Sequence, residues 1–158
     1  MKTRTVPMES IAELIRLQLA HGQRANLVVT GSSMMPMLHH RRDSVVLAPV
    51  KEKVKKGEVI LYQRENGKYI LHRVIALADS GYICSGDNQA VRETVSHEQI
   101  LAVVVGFTRK GKVRQTDALF YRLYTALWVG FFPLRRYYLV VRRRLGRLRN
   151  RLKKRTKK

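Results

Sequence analysis

The sequence has 158 residues, 45% of them hydrophobic, which is enough for one domain with a real core plus an appendage and excludes wholesale disorder. Its net charge of +21 is uneven: residues 108–158 hold 18 Lys/Arg against one acid, Asp117, while residues 1–107 hold 14 bases and 10 acids. A basic tail of this kind calls for an anionic partner, either a lipid surface or nucleic acid, and the single cysteine, Cys84, excludes an internal disulfide.

In chain order, residues 7–21 predict a short amphipathic helix with Ile11, Leu14, Ile15 and Leu19 on one face and Gly22 as its stop. Glu13, Arg16 and Gln18 interrupt it, so it has no continuous apolar stretch of the kind a secretory signal needs. Short β-rich runs follow at 27–30, 44–47, 58–62, 69–78, 82–84 and 100–107. Turn signals separate them: Lys56-Gly57, Asn66-Gly67, Ser80-Gly81 and Gly86-Asp87-Asn88. Arg109-Lys110-Gly111-Lys112 predicts one further hairpin returning through Val113. Many short strands with regular turns predict a mainly β, barrel-like domain over residues 23–115, with Cys84 as a small hydrophobe in a strand.

Residues 118–134 form a largely apolar, aromatic-rich stretch whose one charge is Arg122 and which Pro133 is expected to stop. Beyond it, Leu134, Tyr138, Val141, Leu145, Leu148 and Leu152 fall on one helical face, with arginines covering the others. The organisation read from the sequence is therefore an N-terminal helix over 1–22, a β domain over 23–115 and a basic helical tail over 116–158.

Three segments carry residue types suited to chemistry. Gly31-Ser32-Ser33-Met34-Met35-Pro36 follows a predicted strand. A nucleophilic serine needs a fixed turn that exposes its hydroxyl, with backbone N–H groups near enough to hold an oxyanion. Leu71-His72-Arg73-Val74 places an imidazole, basic enough to take a serine proton near neutral pH, inside an otherwise apolar strand. Gly86-Asp87-Asn88 suits a β-turn, and its carboxylate also suits the role of orienting an imidazole. His39 and His40 have no further Cys or His at ligand spacing, so they predict a solvated loop and no metal. Met34, Met35 and Met37 suit either a cleft for small apolar side chains or the core.

Together these segments resemble the signal-peptidase and self-cleaving-repressor superfamily of serine peptidases, closest to the endoplasmic-reticulum and archaeal type, which carries Ser-Met-x-Pro, then His-Arg-Val, then Gly-Asp-Asn. Asp43-Ser44-Val45-Val46 and Lys56-Gly57-Glu58-Val59 are similar to that family's two strand-opening boxes, and the resemblance covers roughly residues 24–108. It implies a partly open β-barrel and a serine endopeptidase that works through an acyl-enzyme, without a cofactor. Ser33 would be nucleophile, His72 general base and Asp87 the orienting acid, with Gly31, Ser32 and Met34 shaping the oxyanion turn. The substrate class it implies is a peptide or protein with a leader or signal-like sequence.

The chain departs from the pattern at position 31, where many bacterial signal peptidases have a hydroxyl residue, and at Glu93, where the endoplasmic-reticulum type has Asp. Glu93 is therefore a second candidate acid whose part in orienting His72 is open. With only about 30 residues before Ser33, a DNA-binding module typical of the repressors is not expected. The tail is expected to hold the protein peripherally on the anionic cytoplasmic face of a membrane, with a single span through 118–134 as the alternative and nucleic acid a lesser one. The competing functional reading is a catalytically inactive module on the same fold, binding membrane or nucleic acid through that tail.

Overall fold

The computed structural model describes residues 8–155. Helix α1, Met8–Ala20, buries Ala12, Ile15 and Leu19. Leu14, expected on that face, is 61% exposed, because Ala12, Ile15 and Leu19 centre the buried stripe away from it.

Eight strands follow: β1 Ala25–Val28, β2 Ser44–Ala48, β3 Val59–Gln63, β4 Tyr69–Ala78, β5 Gly81–Ser85, β6 Glu93–Val95, β7 Ile100–Arg109 and β8 Lys112–Gln115. All pairings are antiparallel, in the order β1-β2-β7-β3-β4-β5-β6, with β8 added to β7. Tight turns make the hairpins. Between β3 and β4, the Arg64 N–H donates to Lys68 O and the Gly67 N–H to Arg64 O, both at 2.9 Å.

The mainly β class read from the sequence is present, but the barrel is not formed. β1 and β6 end the strand path and do not pair with each other, so the sheet stays open. These end strands have only four and three residues, which offer little edge to zip together.

The long strand β7 is the sheet's spine, with β2 on one edge and β3 then β8 along the other. Register shifts in the β2–β7, β3–β7 and β4–β5 ladders bend the sheet, so that its middle is buried on both faces. Side chains of β3 alternate accordingly. Val59 and Leu61 join a core with Ile15, Leu38, Leu47 and Phe107, while Ile60 and Tyr62 join a second one with Val74, Tyr82 and Val95. Cys84 is buried in this second core.

The tail folds as α2, Leu119–Gly130, and α3, Phe132–Arg155. The stop expected at Pro133 falls instead at Phe131, and Pro133 sits in the first turn of α3. A proline is tolerated there because a first-turn N–H has no intrahelical partner to lose. No described helix is long and apolar enough to cross a membrane.

Candidate active site

Ser33 lies in the loop that joins β1 to β2. The loop is closed at its base, where the Val29 N–H donates to Asp43 O at 2.9 Å and the Arg41 N–H to Val29 O at 2.7 Å. Buried Asp43 pins the far end, accepting from the His39 N–H at 2.9 Å and from two Arg42 nitrogens at 2.8 Å. Hydrogen bonds from Arg42, backed by the His39 N–H, hold its carboxyl down at about 2 against the opposing effect of burial. Met34, Met37 and Leu38 are buried in the core and anchor the loop from below. Of the three methionines only Met35 keeps partial exposure.

Gly31 takes a φ of +89°, a conformation L side chains rarely adopt, and its N–H donates to His40 Nδ1 at 2.8 Å. That amide is therefore engaged. The N–H groups of Ser33 and Met34 donate to no acceptor among the described residues. His39 and His40 serve this loop, and no group of three potential ligands gathers around them among the described residues.

The β4–β5 register brings the second and third segments to this loop. Arg73 pairs with Ser85, so the turn Gly86-Asp87-Asn88 emerges beside His72 and Arg73. The Asn88 N–H donates to Ser33 O at 2.7 Å, clasping the serine loop to the turn. Gly86 is where the parts converge. A Cβ there would stand 2.8 Å from Ser33 O, 3.0 Å from Ser33 Cβ and 3.1 Å from His72 Nε2. Only a residue without a side chain lets Ser33 and the imidazole approach the same point. Gly86→Ala is accordingly expected to displace the Ser33 carbonyl, and with it any catalysis that needs Ser33 beside His72, while the distant β-sheet stays folded. Steady-state kinetics beside far-ultraviolet circular dichroism would check this.

His72 is buried, 1% exposed, and its second nitrogen faces a polar chain. Tyr62 Oη lies 3.2 Å from His72 Nδ1 and donates to Glu93 Oε2 at 2.7 Å. Arg64 closes the chain with two hydrogen bonds to Glu93, one of them from Nε at 2.8 Å. A phenol has one proton, and here it is donated in the hydrogen bond to the Glu93 carboxylate. Tyr62 can then only accept from His72, which fixes the Nδ1–H tautomer and leaves Nε2, the nitrogen beside Gly86, unprotonated. Burial of Glu93 opposes its ionisation, but the hydrogen bonds from Arg64 and Tyr62 prevail and keep its carboxyl below the usual value.

Burial pushes the His72 imidazole down to about 4, against the attraction of Glu93. It is therefore the free base at neutral pH. The neutral form is favoured in the fold, so this contribution to stability is complete above the ordinary value near 6.5 and is lost as pH falls toward 4. If His72 acts as a base, the acid limb of a kcat/KM profile should fall near pH 4 rather than near 6.5.

Asp87 is placed differently from the sequence-based expectation. Successive side chains of β4 point to opposite faces, and Asp87 joins Arg73, not His72. Its two oxygens accept from Arg73 Nε at 2.9 Å and Nη2 at 2.8 Å, with both side chains wholly buried. Arg73 Nη1 also donates to Gly57 O at 2.8 Å, Tyr121 Oη at 3.2 Å and Thr125 Oγ1 at 3.3 Å, and Nη2 reaches Met37 Sδ at 2.9 Å. The carboxylate facing His72 is Glu93, with Oε1 at 3.8 Å from Nδ1.

Tyr62 and Arg64 were not singled out in the sequence. Their signal is the register: Ile60 pairs with His72, so Tyr62 is its diagonal neighbour on the same face. Two cavities, of about 330 and about 740 Å3, lie elsewhere, and neither is lined by Ser33 or His72. No family model matches the chain, nor does any curated protein or solved structure.

Proposed function

We propose that the protein is a serine endopeptidase that cleaves a leader or signal-like peptide through an acyl-enzyme on Ser33. The observation that carries this reading is the meeting of Ser33 and the unprotonated His72 Nε2 at Gly86. The Ser33 hydroxyl turns toward Nε2, a movement of the kind that tightens geometry when substrate binds. It attacks the scissile carbonyl as Nε2 takes its proton, and the N–H groups of Ser33 and Met34 receive the oxyanion. On collapse, the imidazolium returns that proton to the departing amine. Water then attacks the ester with His72 again as base, releasing the acid and restoring the serine. Tyr62 and Glu93 hold the tautomer and stabilise the imidazolium as it forms. Asp87, through Arg73, holds the turn that clasps the serine loop.

The test is incubation of the full chain with leader-like peptides that carry small residues near the cut. A new amino terminus is expected with the wild type and not with Ser33→Ala. Identical peptide profiles for the two proteins would overturn the reading.

The same proposal seats the tail on an anionic membrane surface. Phe120, Leu127, Leu134 and Tyr138 are 77%, 61%, 68% and 61% exposed and follow one another along α2 and α3, flanked by exposed Arg122, Arg136 and Arg142. Leu145 continues the row at 60% exposed, while the side chains at 148 and 152 lie outside the described residues.

A further inference from the structure

The cavity of about 740 Å3 lies between the β7–β8 hairpin and α2, away from Ser33 and His72. Its volume is in the ~300–1,000 Å3 range of small-molecule sites. One wall is apolar and aromatic, made by Met37, Phe107, Tyr121 and Tyr124. Phe107 and Tyr121 pack ring to ring at 5.4 Å, so this wall is firm. The cavity's solvent-facing rim carries Arg109, Lys110, Lys112 and Arg114, answered by the one lining acid, Asp117.

A ligand for this space must offer negative charge to the basic rim and hydrocarbon to the aromatic wall. Phe120 lines the cavity and also begins the exposed apolar row of α2, so the cavity is continuous with that row.

We infer that this cavity binds one anionic lipid molecule, with its phosphate head on the basic rim and its hydrocarbon on the aromatic wall. The site stands whether or not Ser33 cleaves peptides. Two wall residues, Met37 and Tyr121, also touch Arg73, so the cavity adjoins the Arg73–Asp87 pair without overlapping the Ser33–His72 centre.

The experiment is calorimetric titration of the full chain with dihexanoyl phosphatidylglycerol below its micelle concentration. Dihexanoyl phosphatidylcholine and glycerol phosphate serve as the other arms. One saturable site for phosphatidylglycerol is expected, at least tenfold tighter than for phosphatidylcholine, with no measurable binding of glycerol phosphate. Val113→Trp, which fills the mouth from an exposed strand position, and the double change Lys112→Glu/Arg114→Glu should each weaken it at least tenfold. Equal binding of the two lipids would overturn the basic rim's role, and equal binding of glycerol phosphate that of the apolar wall. Unchanged binding in both variants would place the lipid elsewhere on the tail. The wild-type comparison decides even if a variant fails to fold.

Discussion

Ser33→Ala and His72→Ala are each expected to lower peptide cleavage by roughly 10⁴-fold or more, and the double variant should be no worse than either alone. A nucleophile and its base act as one unit, so losing one strands the other and the effects do not add. The serine change should be nearly silent for stability, since Ser33 is only half-buried and its hydroxyl bonds to no described residue. The histidine change removes a buried ring and its bond to Tyr62, so its thermal midpoint should fall modestly while the domain stays folded. Initial rates beside thermal denaturation for all four proteins measure this. Additive losses, or full activity in either single variant, would contradict the pairing.

The second large effect separates the two acids. Asp87→Asn leaves the Arg73 guanidinium in a wholly buried site without its counter-charge, and breaking such a pair costs about 3–5 kcal/mol. A marked drop in the denaturation midpoint is expected, with activity lost because the turn no longer clasps Ser33. Glu93→Gln should behave in the opposite way. Glu93 is half-buried and its partner Arg64 is partly solvated, so stability should change by only about 1 kcal/mol. The rate should fall on the order of 10²-fold, because a carboxamide no longer fixes the Tyr62 proton and with it the His72 tautomer. Urea midpoints and kcat for the two variants would discriminate. A stable but slow Asp87→Asn, with a fully active Glu93→Gln, would return the orienting role to Asp87.

This division shows what local sequence can and cannot carry. Turn dipeptides such as Asn66-Gly67 are decided by residues close in the chain, and the hairpins formed where those residues predict them. The segments around Ser33 and His72, which the fold brings to one point at Gly86, stood out because each is short and has its own chemical sense. Which acid faces His72 was not, because it depends on strand alternation and on the pairing of Val74 with Cys84 and of Cys84 with Glu93. Strand β6, three residues with no alternating pattern, left no mark in the sequence that could be read alone. The same limit hid Tyr62, whose meaning appears only when Ile60 is set opposite His72. The apolar stretch over 118–134 read as one unit because its composition is uniform, yet the helix breaks at Phe131, with Val129 and Phe132 buried and Tyr121 packed into the β core against Phe107.

The most direct measurement is the reaction of the full chain with a fluorophosphonate, followed by intact mass and fragment mapping of the adduct. Such a reagent phosphonylates a serine whose hydroxyl is activated by a neighbouring base. One adduct on Ser33 is predicted, absent from Ser33→Ala and strongly slowed in His72→Ala. A chain that takes no label, or one labelled equally after Ser33→Ala, would contradict the assignment of Ser33 and His72 as a catalytic pair.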